Sequence, residues 1–297
     1  MSLAFVIESF RFHRLRSRKT VQILFLLGFF INAIALMLPV GDQDFSRLIN
    51  WVMGMSARFA PEVSESVLLP DYRAESILSF GNIIYLLFSL LITVLNAGLS
   101  LIYASAMNAS FDDYPLKHGV REFFSKIPKL LLFALLLIPV YILSLVFLGL
   151  PFFVIASALA FTPMFLIDRQ YSLSRALDES VHATSGIKFQ MVISYLFISF
   201  LMSGPRNILI NWFGGSLASV ALISAFFAAL KALILGRLYA LFYLYYSRSY
   251  PSRRIHNPYN PHDPTTFFKE VNRRGRSEEE EESDAEEDED DDDSFFG

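Results

Sequence analysis

Two cations stand in a stretch that is otherwise hydrocarbon. Lys231 and Arg237 lie within LASVALISAFFAALKALILGRLYALF, residues 217–242. A lysine at the centre of a bilayer costs about 2.5–3.5 kcal/mol on insertion scales. Ten strongly apolar residues between Leu217 and Leu235 offset that at about 0.3–0.6 kcal/mol each, so the segment inserts. Lys231 is expected in the half of the span nearer the cytoplasm, with its stem snorkelling outward and Arg237 at the interface. The other reading is a contact for an anion or a lipid head group inside a helix bundle. No acidic residue in any other span offers an obvious counter-ion. Lys231 and Arg237 are therefore the candidate functional intramembrane charges. Asn96 sits inside another apolar run and is expected to make an interhelical hydrogen bond.

The remaining reactive residue types form no pattern. There is no cysteine, hence no disulfide or thiol chemistry. The chain contains no P-loop, no G-x-S-x-G and no H-E-x-x-H. His256, His262 and Asp263 are interrupted by proline and make a poor metal set. Asp112-Asp113 reads as the cap of a helix start before Tyr114-Pro115, where acidic residues are favoured. Catalytic, cofactor and metal sites are all expected to be none, and the protein is expected not to be an enzyme.

The elements that must position Lys231 and Arg237 are membrane spans. Of 297 residues 54% are hydrophobic, and the mean hydropathy is +0.43. The net charge of −4 hides an asymmetry. Fourteen of the 29 acidic residues fall between Glu278 and Asp293, which leaves 15 acidic against 25 basic residues elsewhere. Such a body suits contact with anionic lipid head groups. Nucleic acid is not expected, because the basic residues are spread among loops.

Apolar runs of about 20 residues match a bilayer. They occur at roughly 21–40, within 77–106, twice within 130–168 on either side of Gly149-Leu150-Pro151, from 189 past Gly204-Pro205 towards Trp212, and from Ser216 onward. The first run contains Ala33-Ile34-Ala35, but it is too long for a secretory signal and reads as a retained anchor. Pro139 and Pro163 fall inside spans three and four and predict kinks, with a broken transporter helix as the alternative. Ala218, Ala221, Ala225, Ala228, Ala232 and Gly236 make a small-residue stripe that lets another helix approach closely. The expected fold class is all-α, a polytopic membrane protein with about six transmembrane helices over residues 1–250.

Basic residues collect at 11–19, 117–129, 169–188 and 248–276. Six spans put all four groups on one side, so both termini are expected in the cytoplasm and the protein in the cytoplasmic (inner) membrane. Residues 251–297, basic and then strongly acidic, are expected to form a disordered cytoplasmic tail. Phe295 and Phe296 at its end are candidates for docking a protein partner.

Two connectors share a register. YPLKHGVREFF begins at Tyr114 and YSLSRALDESV at Tyr171. Each has the 3.6-residue periodicity of an amphipathic helix and precedes two spans. The N-terminal stretch Leu3, Val6, Ile7, Phe10 starts in the same way. The predicted unit is an interfacial helix followed by a two-span hairpin.

The second copy carries a family resemblance. FTPMFLIDRQYSLSRALDESVHATSG, with Pro163, Asp168, Ala176-Leu177, Ser180 and Gly186, resembles a pattern in small bacterial six-helix membrane proteins of unknown function. These are related to the membrane domain of membrane-anchored glycerophosphoryl diester phosphodiesterases. The resemblance covers residues 1–250 and implies an architecture only, since no region here corresponds to the phosphodiesterase catalytic domain. Function is then expected to be that of a non-enzymatic scaffold or accessory subunit; a transporter or lipid-handling protein using the intramembrane Lys/Arg is the alternative.

Overall fold

A computed structural model describes residues 2–15, 17–50, 78–145, 150–248 and 265–274, and among these every regular element is helical. The helices are α1 (Ser2–Ser9), α2 (Arg18–Met37), α3 (Phe80–Phe111), α4 (Leu116–Ser125), α5 (Ile127–Leu145), α6 (Leu150–Ala158), α7 (Thr162–Ile167), α8 (Leu173–Ala183), α9 (Lys188–Phe213), α10 (Leu217–Phe242) and α11 (Thr265–Arg274). A π-helical turn, Tyr243–Arg248, prolongs α10. The starts follow from capping chemistry. Ser17, Ser79, Ser172 and Ser216 each accept a hydrogen bond from an amide of the first turn, and the caps at Ser79 and Ser216 are reciprocal boxes with Asn82 and Ser219. These bonds satisfy amides that a helix start otherwise leaves open.

α10 is the central helix, packed on α2, α3 and α9. Its small residues make this possible. Ala229 meets Gly28 of α2, and Gly236 lies against the backbone of Ser100 in α3. Ser100 donates from its hydroxyl to the Ala232 carbonyl across the same contact at 2.8 Å. Of the predicted stripe, Ala221, Ala225, Ala232 and Gly236 are buried, whereas Ala218 is exposed. α2 and α3 are joined by a reciprocal amide pair, Asn32 Nδ2 to Asn96 Oδ1 at 2.8 Å and Asn96 Nδ2 to Asn32 Oδ1 at 3.1 Å. The interhelical bond expected of Asn96 is present.

The repeated connectors are alike in backbone as well as sequence. α4 and α8 are each preceded by a non-glycine residue in the left-handed region, Asp113 (φ 59°) and Gln170 (φ 54°). Each of these stands one residue before the shared tyrosine. The equivalent positions Gly119 and Ala176 are both buried, as are Phe123 and Ser180. In α1 the likeness is partial. Val6, at the position of Gly119 and Ala176, is buried, as are Phe5, Glu8 and Ser9, while Leu3 and Ile7 are exposed. The buried side of α1 packs on α10 and α9.

Four helices are long and apolar enough to cross a membrane: α2, α3, α9 and α10 with its π turn. α4 and the first part of α5, bent by 58°, add a fifth if they count as one span. The stretch Phe152–Ile167 is apolar but short, and it is broken. Pro163 does not kink a continuous helix; it opens α7 after the break at 159–161. The chain enters this region beside α3 through α4 and leaves it at Asp168, which bonds Asn108 of α3 and Tyr243. Entry and exit share one end of the bundle, so residues 127–167 either cross twice or enter and return on the same side.

α9 runs unbroken through Pro205 to Phe213, long enough to cross as the sequence requires. Part of the predicted disordered tail is instead ordered. α11 places Phe267 and Val271 in the core, its rings against Phe5, Phe111 and Tyr245. The apolar i, i+4 pair explains this. Phe295, Phe296, the acidic run, His256, His262 and Asp263 lie outside the described residues.

The helix contacts predict opposite outcomes for two glycines. A Cβ at Gly236 would sit 2.7 Å from the Ser100 carbonyl oxygen, whereas at Gly204 nothing lies within 4 Å. Gly236→Ala should destabilise the protein by about 1–3 kcal/mol, and Gly204→Ala should be neutral or slightly stabilising. Thermal unfolding of the detergent-solubilised protein checks both.

Candidate functional site: a buried arginine and an open lysine

Arg237 is completely buried and its donors are almost fully used. Nε donates to the Glu8 carbonyl at 3.0 Å and Nη1 to the Arg14 carbonyl at 3.0 Å. Nη2 donates to Glu8 Oε1 at 2.8 Å and to Asn272 Oδ1 at 3.0 Å. Glu8 lies in the last turn of α1, where carbonyls lack intrahelical partners and a cation is favoured. Arg237 lies inside the protein, and its counter-ion comes from a short N-terminal helix, not from another span. Glu8 is the only acidic residue among the first 41, and that isolation among arginines was the available signal.

A second polar knot holds the same end. Asp168 accepts from Asn108 Nδ2 at 2.8 Å and from the Tyr243 hydroxyl at 2.7 Å, with Arg169 Nε at 3.5 Å. It ties α7 to α3 and to the end of α10. The break between α6 and α7 is closed by side chains of α8. Ser180 Oγ accepts from Phe161 N at 3.0 Å and donates to the Ala158 carbonyl at 3.0 Å. Thr184 donates to the same carbonyl at 3.0 Å, and the Tyr239 hydroxyl donates to the Ala160 carbonyl. Broken backbone at membrane depth persists only when neighbours satisfy it in this way.

Beside the mended break lies a cavity of about 690 Å³, bounded by α3, α6, α7, α9 and α10. Its walls are mainly apolar, with Phe152, Phe153, Met191, Leu235, Leu238 and Phe242 among them. Lys231 enters this cavity, as do Thr93, Asn96 and Ser100 of α3. The Lys231 ammonium lies 5.5 Å from the centroid of the Tyr195 ring. That contact is a weak cation–π one at best. No carboxylate pairs with Lys231 among the described residues, and the charge that acts on it is a second cation, Arg206. Thr93, Asn96 and Ser100 already donate to Ser89, Asn32 and Ala232. Among these groups Lys231 is the one amine, and it has no hydrogen bond or ion pair to another described residue.

The two candidate cations thus part company. Arg237 is paired with Glu8 within the fold and does not line this cavity; Lys231 has no acidic partner among the described residues and does. A carboxylate or phosphate placed in the cavity would meet Lys231 without displacing any protein acid. Tyr195, Thr93 and Ser100 escaped the sequence reading because they carry no motif. No protein-family model, curated protein or solved structure matches this chain.

The Arg237 knot gives a testable energetic result. Glu8→Gln leaves a guanidinium buried without its counter-charge, and loss of one partner of such a pair costs about 3–5 kcal/mol. Arg237→Met should cost as much. The double variant should cost clearly less than the sum of the two, read as coupled shifts in thermal unfolding.

Proposed function

We propose that this multi-pass membrane protein is a non-enzymatic lipid-handling protein, which holds or moves an anionic amphiphile drawn from the bilayer. The observation that carries this reading is the apolar cavity with the unneutralised Lys231 in its wall. Its volume falls in the range of ligand sites, about 300–1,000 Å³. Intramembrane ionisable groups are rare and mark substrate or ion pathways. Reconstituted protein should bind or translocate an anionic lipid above the level of empty liposomes, and Lys231→Leu should reduce this. No activity above empty liposomes with either form overturns the reading.

A scaffold or accessory role is the second reading, and α11 favours it. α11 docks on the bundle through Phe267 and Asn272, and Phe295 and Phe296, further along the sequence, are the proposed partner-docking residues. Truncation after Arg276, which keeps α11, followed by crosslinking should remove partners. An unchanged partner set counts against this role.

The proposed setting is the cytoplasmic membrane, with six crossings and both termini cytoplasmic, supported by the distribution of basic residues. The resemblance to membrane domains of glycerophosphoryl diester phosphodiesterases is proposed as one of architecture. Since the chain has no cysteine, Ser174→Cys in α8 and Gly215→Cys between α9 and α10 report from a clean background. An impermeant maleimide applied to intact cells should label Gly215→Cys and spare Ser174→Cys; the opposite pattern reverses the topology.

A further inference from the structure

We propose that the acidic run Glu278–Asp293 docks on the exposed cations of residues 11–19, so that the two ends of the chain close on each other. This stands apart from the cavity and from the lipid-handling reading.

The first argument is position. The Arg237 guanidinium holds both ends at once. Nη1 donates to the Arg14 carbonyl and Nη2 to Asn272 Oδ1, each at 3.0 Å. Phe268 of α11 also meets Phe5 of α1 edge-on at 5.1 Å. The chain therefore leaves α11, which ends at Arg274, beside the N-terminal segment. Glu278 follows Asn272 by six residues, and six extended residues span at most about 20 Å. The acidic run begins within that reach of the segment and is long enough to lie along it.

The second argument is charge. Residues 11–19 hold Arg11, Arg14, Arg16, Arg18 and Lys19 and no acid. Arg11, Arg14, Arg18 and Lys19 are exposed. Glu8, the only acid among the first 41 residues, is buried and already held by Arg237 at 2.8 Å and by Arg11 at 3.2 Å. The run 278–293 has 14 acids and no cation. Carboxylates crowded in this way repel one another, and a cationic surface within reach relieves that repulsion.

The third argument is the tether. Exposed ion pairs are weak one at a time and are screened by salt. Anchored through α11, the acidic run meets the patch at an effective concentration of order millimolar, and its charges act together. The same cations stand where α2 begins and would otherwise gather singly charged anionic head groups. The tail keeps those head groups off residues 11–19, and rising salt releases it.

The test uses the full chain in phosphatidylcholine nanodiscs and a zero-length carbodiimide, which joins a carboxylate to a lysine amine only on contact. Lys19 is the one lysine of the patch, and Lys117, Lys126, Lys129 and Lys188 serve as internal controls. At about 0.1 M salt, where charges are felt over about 10 Å, mass spectrometry should find the tail joined to Lys19 at least about tenfold more than to any control lysine. At about 1 M salt, where that range is about 3 Å, the Lys19 product should fall about tenfold. Arg14→Gln with Arg18→Gln should lower it several-fold at the lower salt. The salt comparison needs no substitution, so a misfolded variant does not leave the matter open.

Equal joining of the tail to Lys19 and to the control lysines overturns residues 11–19 as the site. A Lys19 product that salt does not reduce overturns charge as the cause of docking. Loss of the Lys19 product when phosphatidylglycerol replaces part of the phosphatidylcholine makes the segment a lipid contact and overturns the tail as its occupant. No Lys19 product at the lower salt overturns the proposal outright.

Discussion

The guanidinium of Arg237 is fully buried, and a charge in that position persists only when its hydrogen bonds and its counter-charge are both supplied. Here they come from the two ends of the chain. α1 contributes the carboxylate and carbonyl of Glu8, the segment after it contributes the Arg14 carbonyl, and α11 contributes Asn272. The aromatic packing follows the same geometry. Phe242 stacks on Phe5 at 4.7 Å, and Phe5 meets Phe268 edge-on at 5.1 Å. α1 and α11 are therefore structural parts of the bundle. Removing α1 would leave the charge at the end of the central helix without its counter-ion, and removing α11 would take one of its hydrogen bonds.

The same accounting of polar groups explains the segment between α5 and α9. A helix break at membrane depth frees carbonyls and amides that lipid cannot satisfy. The break between α6 and α7 is closed by Ser180 and Thr184 of α8 and by Tyr239 of α10. This gives α8 a second task. Its periodicity suits an interface, with Arg175 lying over the Tyr171 ring at 4.3 Å on the exposed side. Its buried face is not greasy at every position, and the hydroxyls there mend the neighbouring backbone. α4, the sister element, uses Gly119 instead to lie close against the α3 backbone, with Ser105 donating to its carbonyl at 2.8 Å. One repeated helix, with the same left-handed entry, has been put to two uses.

Mending the break at this place leaves a void on its other side. Small side chains on α10 let α2 and α3 come close, while Ala228 and Ala156 leave room where α6, α7 and α9 do not close in. A void of this kind with wholly apolar walls would need no further account beside a lipid phase. Lys231 changes that, since its cost in the membrane is met by no group among the described residues. The contrast with Arg237, six residues on, is the clearest functional statement in the molecule: one cation is consumed by the fold and the other is held open.

Much was legible from residue order. Apolar runs of bilayer length announce spans, and the shared register at Tyr114 and Tyr171 announces a repeat whose backbone the structure reproduces. Asn96 was readable as a helix–helix contact because an amide in lipid has few alternatives. These features are local: each depends on neighbours within a few turns. The partner of Arg237 was not legible, because Glu8 is more than two hundred residues away in sequence and lies in a helix too short to be a span. The order of residues 265–274 was hidden by a polar, proline-rich context, and the cavity by its reliance on five helices from distant parts of the chain. The sequence by itself determined that this is an all-helical membrane protein carrying two cations in one long apolar helix. Only tertiary packing decided which of them is free, because a counter-ion is a matter of distance in space, and distance in space is set by how the helices meet.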